Sequence, residues 1–220
     1  MASHEFRTPL TVARSSAALI EQYPGTDQQS QRLKYLHYIH AAAKQLVDIL
    51  EGFRAVGRIE GGNTQTHPAD IDVPTLLGDV IANVQGLLKP SQTIDWQMQS
   101  APQVCLDASL LRKILLNLPP NALKYSDKDS TVVVRGTCDG QQFSRRVQDQ
   151  GVGISEEDQA HLFERFSWAR NVSTVAGTGL GLFIIGKYLE LMGGTIVLRS
   201  ELNVGTAVTL TIPYEKHPAD

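Results

Sequence analysis

Apolar residues recur at three- and four-residue spacing in the N-terminal part of the chain and alternate with polar ones over much of the C-terminal part. This predicts a helical segment followed by a mixed α/β segment. Phe6, Leu10, Ala13, Ala17 and Ile20 form one apolar stripe, and Pro9 within it predicts a kink or a lost backbone bond early in a first helix. Tyr23 to Asp27 reads as a turn. A second helix is expected over about 28–58, where Leu36, Ile39, Ala43, Leu46, Leu50, Phe53 and Gly57 form a heptad seam. A lone helical hairpin buries little, so two copies packing as a four-helix bundle is the expected solution, against packing of one hairpin on the rest of its own chain.

Gly61-Gly62-Asn63 closes the hairpin, and Pro68 and Pro74 punctuate a linker into a second domain. The boundaries read from this punctuation are 1–62 for the hairpin, 63–69 for the linker, 70–215 for the second domain and 216–220 for a tail. Leu76 to Leu88 has a helical pattern closed by Pro90, and Thr93 to Met98 alternates as a strand. Asp107 to Tyr125 is helical in pattern apart from two prolines. Thr131 to Arg135 and Phe143 to Gln148 read as strands around an Asp139-Gly140 turn. A helix over about 178–192 and strands at Thr195 to Arg199 and Thr206 to Ile212 complete the domain. Hairpins of this kind predict a layered α/β domain with a mixed, largely antiparallel sheet.

The composition narrows the function classes. The chain has 220 residues, 42% hydrophobic and 20% charged, with 20 basic and 23 acidic residues for a net charge of −3. No chain-wide basic footprint argues for nucleic acid as a partner. No apolar run approaches the ~20 residues that span a bilayer, and His4, Glu5 and Arg7 stand where a signal peptide would turn apolar. Cys105 and Cys138, the two cysteines, match no metal knuckle or redox pair and are expected to be reduced.

Four constellations carry possible chemistry. In Ser3-His4-Glu5-Phe6-Arg7-Thr8-Pro9, His4 and Thr8 share a helix face. His4 reads either as an ordinary surface histidine or as a nucleophilic imidazole whose ring proton Glu5 accepts. In Asn117-Leu118-Pro119-Pro120-Asn121-Ala122-Leu123-Lys124-Tyr125, the two asparagines and Lys124 share a helix face suited to a hard cation and the phosphates it bridges, or form a polar surface. Asp149-Gln150-Gly151-Val152-Gly153 follows a strand. Its carboxylate can accept from an exocyclic amine, although a plain turn explains the Asp and Gly residues equally. Gly177-Thr178-Gly179-Leu180-Gly181-Leu182 precedes a helix whose free N–H groups suit phosphate. Its glycine spacing is neither that of the dinucleotide fingerprint nor that of a P-loop.

The order of these segments, with Leu162-Phe163-Glu164-Arg165-Phe166 before the last, resembles the H, N, G1, F and G2 boxes of two-component sensor histidine kinases over nearly the whole chain. The resemblance implies a dimeric all-α hairpin followed by a two-layer α/β sandwich of the type shared with gyrase, Hsp90 and MutL, binding ATP and Mg²⁺. It implies His4 as phosphoacceptor, Glu5 as its acid/base partner and Thr8 at the position that orients water for dephosphorylating a partner. Asn121 resembles the magnesium ligand, with Asn117 one turn earlier near metal and phosphates, Lys124 on phosphate and Tyr125 against the nucleotide. Asp149 resembles the adenine-reading carboxylate, with Gly151 and Gly153 shaping its pocket. The segment Gly177-Thr178-Gly179-Leu180-Gly181-Leu182 frames the phosphates under a mobile lid from Ser167 to Ala176, in which Arg170 either reaches the terminal phosphate or lies on the surface. The implied function is ATP-dependent autophosphorylation of His4 and transfer to an aspartate of a response-regulator receiver domain. The alternatives are a catalytically weak dimeric scaffold and a phosphatase-biased kinase. Hydrolysis alone is disfavoured because Asn117 replaces the water-activating acid of related ATPases. The implied location is cytoplasmic, possibly as part of a larger, membrane-anchored sensor.

Two departures from the family pattern stand out. His4 lies three residues from the first residue, so the turns that precede it in relatives are missing and the first turn is expected to fray. Pro119 and Pro120 stand where relatives carry Leu-Leu or Leu-Ser/Gly, and an interior proline costs a helix about 3 kcal/mol. A kink between Asn117 and Asn121 would disturb their common face. The chain is therefore predicted to bind nucleotide more weakly than a Pro119→Leu, Pro120→Ser variant; equal affinities of the two in a titration would overturn this.

Overall fold

A computed structural model describes residues 2–99, 103–165, 167 and 178–214, with the backbone alone for residues 2–4 and 26. Helix α1 (Ala2–Ile20) and helix α2 (Gln29–Glu60) form an antiparallel hairpin around a short 3₁₀ turn at Thr26–Gln28. Pro9 does not end α1; it is buried against the partner helix. The inward stripe of α1 is Phe6, Pro9, Ala13, Ser16 and Ile20, whereas Leu10 and Ala17, expected in it, are exposed. Phe6 stacks on Phe53 of α2, ring centroids 5.6 Å apart.

The seam of α2 likewise separates into two. Ala42, Ile49 and Val56 are buried at heptad spacing with Gly52, and they face α1 and the rest of the chain. Leu36, Ala43, Leu50 and Gly57 lie one position further round and are exposed, Leu50 by 57%. Interleaving the two rows in one pattern hid this distinction, because adjacent heptad positions both turn apolar on a helix with two buried faces. The hairpin closes with a Schellman motif: Asn63 N–H donates to Arg58 O and Gly62 N–H to Ile59 O. Gly62 at φ +67° supplies the left-handed residue this motif needs.

The remaining elements are β1 (Ala69–Asp72), α3 (Val73–Gln85), β2 (Thr93–Gln99), β3 (Gln103–Leu106), α4 (Ala108–Tyr125), β4 (Thr131–Cys138), β5 (Gln142–Gln148), α5 (Glu156–Gln159), α6 (Gly181–Leu191), β6 (Thr195–Glu201) and β7 (Gly205–Pro213). Five strands form one sheet in the order β2-β4-β5-β7-β6, parallel only between β2 and β4, and β1 pairs with β3 in a separate ribbon. One face of the large sheet carries Val132, Val134, Phe143, Val147, Leu210 and Ile212 against α3, α4 and α6. This is the two-layer, largely antiparallel sandwich expected from the sequence. The β1–β3 ribbon and the short α5 are additions. Both cysteines are free thiols, and no described helix is long and apolar enough to cross a membrane.

Asp107 anchors the entry to this layer. Its Oδ1 accepts from Leu110 N–H at 2.9 Å, capping α4, and its Oδ2 accepts from His67 N–H at 2.8 Å. The end of the linker is thereby tied to the first turn of α4. The hairpin also touches the sandwich directly. A β-carbon at Gly52 would lie 2.7 Å from Leu180 Cδ1, and Glu60 pairs with Arg165.

One residue violates the apolar interior. Arg145 of β5 points inward with Phe143 and Val147, is fully buried, and has no hydrogen-bond partner for any guanidinium nitrogen among the described residues. It stands opposite Gly136 and Leu210, and burial pulls its pKa down to about 9. An unpaired buried charge is destabilising, and an apolar side chain of similar volume removes the penalty. Arg145→Leu is expected to stabilise the chain by about 2 kcal/mol. A urea midpoint that is unchanged or lower in the variant would refute this.

Candidate functional site

The cavity of interest, about 780 Å³, opens between α4, the loop after β5, the N-terminus of α6 and the side of α2. Pro119 and Pro120 cannot donate to the carbonyls of Leu115 and Leu116, yet α4 runs unbroken from Ala108 to Tyr125. Asn117 and Asn121 keep a common face. A β-carbon at Gly181 would sit 3.7 Å from Asn117 Oδ1 and 4.0 Å from Asn121 Nδ2, so both amides converge on the first residue of α6. Asn117 Nδ2 donates to Lys113 O at 2.8 Å, which leaves its oxygen toward that point. Lys124 Nζ lies 3.3 Å from Tyr125 Oη and 4.9 Å from the ring centre, and burial lowers the pKa of the ammonium.

Asp149, the residue after β5, also lines the cavity. Its Oδ1 accepts from Gly151 N–H at 2.9 Å and Thr206 N–H at 3.2 Å. Its second oxygen takes no donor from the described residues. Burial raises its pKa, partly offset by those two donors. Gly153, at φ +65°, lies so close to Glu201 O that a side chain has no room. Gly151 bridges to Ser126 at the end of α4 and stands behind the lining. Thr178, Gly179, Gly181 and Leu182 line the cavity. Leu180 is buried and turned toward Gly52 instead. Arg170, Gly177 and, apart from Ser167, the lid segment lie outside the described residues.

The cavity thus assembles three of the four constellations: the Asp149 acceptor, two amides and an ammonium along α4, and the helix N-terminus on which the amides converge. That arrangement suits a ligand with an amine-bearing base and an anionic tail. Matching family models give the same answer. The model described as His Kinase A (phospho-acceptor) domain covers residues 1–62, and the one described as histidine kinase-, DNA gyrase B- and HSP90-like ATPase covers residues 106–216. The chain belongs to the sensor histidine kinases.

Two curated relatives align over almost all of this histidine kinase chain. It is 30% identical to the sensor protein EvgS of Escherichia coli (strain K12) over 97% of its length. It is 32% identical to the circadian input-output histidine kinase CikA of Synechocystis over 98%. It spans only 18% and 30% of those two proteins, respectively. Among solved structures, full-length ShkA in complex with AMPPNP superposes with a TM-score of 0.72 at 27% identity, covering 99% of this chain and 45% of that one. The ATPase family supports ATP binding in general terms.

In this kinase chain the residues of the first constellation are apart from the cavity. His4, Glu5 and Thr8 belong to α1, which contributes no lining residue among the described ones, and the His4 side chain lies outside them. Sequence reasoning missed the α2 wall of Lys44, Asp48 and Glu51. Burial raises the Asp48 pKa; Lys44 opposes the shift and Glu51 adds to it. The only signal was three charged residues beside the heptad seam, and these read as a solvated face.

The buried Asp149 carboxylate generates a pH prediction. Its folded pKa is raised, so it destabilises the fold as pH rises through the unfolded value of 3.8 toward the folded one, and costs nothing below that window. Asp149→Asn keeps an oxygen for Gly151 and Thr206 but removes the charge. The ligand-free variant is expected to unfold at higher urea than the parent at pH 7, with the gap narrowing toward pH 4. A constant gap would refute the assignment.

Proposed function

We propose that this chain binds ATP–Mg²⁺ in the α4–α6 cavity, phosphorylates His4 and passes the phosphoryl group to an aspartate of a response-regulator receiver domain. The observation that carries the reading is the convergence of Asn117 and Asn121 on Gly181 in a cavity that the buried Asp149 also lines. In this reading residues 1–62 are the dimerisation and phosphoacceptor domain, 63–69 the linker, 70–215 the ATP-binding domain and 216–220 a tail.

The residues fit the nucleotide. The Asp149 oxygen without a donor among the described residues suits an exocyclic amine, with Gly153 in the lining beside a flat base and Gly151 shaping the loop from behind. Asn121 would hold the cation, with Asn117 beside it. Lys124, the Thr178-Gly179 turn and the first N–H groups of α6 would face the phosphates, and Leu180 would hold that helix start against α2. Mg²⁺, when bound, supplies charge neutralisation on the transferring group. Tyr125 and Leu182 complete the apolar walls. Arg170 and Gly177 are proposed for the phosphate end from the sequence pattern alone. The roles of His4 as nucleophile, Glu5 as acceptor of its ring proton and Thr8 in the reverse, dephosphorylating reaction are those that the match to the family's phospho-acceptor domain implies. In the transfer, the His4 nitrogen forms a bond to the terminal phosphorus as the bond to the leaving ADP oxygen breaks.

The exposed row of Leu36, Leu50 and neighbouring Leu10 supports a homodimer, because a four-helix bundle needs a second apolar face on each helix. Light scattering should then return twice the 24.1 kDa chain mass. The intact α4 favours a working kinase over a scaffold.

Incubation with terminally labelled ATP and Mg²⁺ is expected to give acid-labile, alkali-stable label that His4→Ala abolishes and Asp149→Ala lowers by at least tenfold. Label that survives in His4→Ala would sink the assignment of the phosphoacceptor, and no label in the parent would favour the scaffold or phosphatase readings.

A further inference from the structure

Helix α4 ends without a glycine: Ser126, Asp127 and Lys128 follow Tyr125. The usual left-handed cap is missing, and the last carbonyls need other donors. Ala122 O accepts from Ser126 Oγ, and Tyr125 O accepts from Val152 N–H at 3.3 Å. Most of the others are met by two side chains from the turn between α3 and β2. Lys89 Nζ donates to Lys124 O at 2.9 Å and also to Ser126 O. Gln92 Nε2 donates to Leu123 O and Asp127 O, each at 3.1 Å.

The turn is built for this task. Gln92 is only 4% exposed, unusual for an amide of its length. Its Oε1 accepts from Lys89 N–H at 3.2 Å, and its own N–H donates to Lys89 O at 3.0 Å, so the two residues fix each other. Between them Ser91 holds φ +61°, a conformation that costs a non-glycine residue free energy and persists only where surroundings impose it. The cation also lies at the negative end of the helix dipole.

We propose that Lys89 and Gln92 are positioning residues for nucleotide binding: gripping the carbonyls of 123, 124, 126 and 127 fixes Asn121, Lys124 and Tyr125 at the cavity. The proposal rests on the nucleotide reading of that cavity. The donors missing at Pro119 and Pro120 belong to the turn before, where Leu115 O and Leu116 O lose their ladder partners. The last turn, which follows that weakened stretch, is held at its end from outside the helix. On the other side, Val152 and the Ser126–Gly151 bridge join the same turn to the Asp149 loop, so the clamped turn also positions that loop.

The test is a Lys89→Met, Gln92→Met double variant beside Lys89→Arg, each titrated with a non-hydrolysable ATP analogue and Mg²⁺ and followed by amide hydrogen exchange. The double variant is expected to bind about tenfold more weakly and to exchange faster at 121–126 while β4–β7 keep their protection. Lys89→Arg, which retains a cation with several donors, should bind within about twofold of the parent. Unchanged affinity in the double variant, or faster exchange spread evenly over the sheet, overturns the proposal, since a merely stabilising contact would behave in that way. If the parent itself binds no analogue, the nucleotide reading fails. The clamp is then decided by exchange alone: unchanged protection at 121–126 overturns it, and selective loss there upholds it.

Discussion

A helix whose end carries no glycine must find donors for its last carbonyls outside its own ladder, and the candidate site depends on that constraint being met. The last turn of α4 carries an amide, an ammonium and an aromatic ring into the cavity. Its carbonyls are taken up by side chains of one turn and by the backbone of another. The apolar layer beneath, where Leu111, Ile114, Leu115 and Leu118 are buried, fixes the first half of the helix by packing. The second half is packed as well, through Ala122 and Leu123, and adds directed polar contacts at its end, which suits a segment that must present polar groups to a ligand.

Arg145 shows a different kind of constraint. Register across the sheet is set by many apolar pairs at once, so a single charged residue at an inward position follows its neighbours inward. Phe143 and Val147 outweigh it. The alternation Phe143, Arg145, Val147 was visible in the sequence and already implied this outcome. What no pattern supplies is whether a partner waits inside; here, among the described residues, none does.

Much of the fold was legible because its signals are periodic. Alternation located β2, β4, β5, β6 and β7, and the three- and four-residue spacing located the long helices. The β1–β3 ribbon was missed because Ala69–Asp72 and Gln103–Leu106 are each four residues long and lack a period to read. The prolines, read as a kink or a lost backbone bond, do not end their helices: α1 continues past Pro9 and α4 past Pro119-Pro120. Of the site, the motif residues on α4 and around Asp149 converge as their order suggested. Lys44, Asp48, Glu51, Lys89 and Gln92 carry no motif, and only three-dimensional proximity marks them.

The wall that α2 contributes to the cavity has a thermodynamic consequence. Gly52 against Leu180 and Glu60 with Arg165 bind the hairpin to the elements that frame the cavity, and Lys44, Asp48 and Glu51 face its interior. Whatever fills that space therefore interacts with two bodies at once, and its binding free energy includes their relative arrangement. Linkage is reciprocal. A twist or slide of the hairpin that alters this wall changes how tightly the cavity holds its contents, and the contents resist the twist by the same amount. A mechanical displacement arriving along α1 and α2 would be read out chemically without a dedicated messenger segment between them.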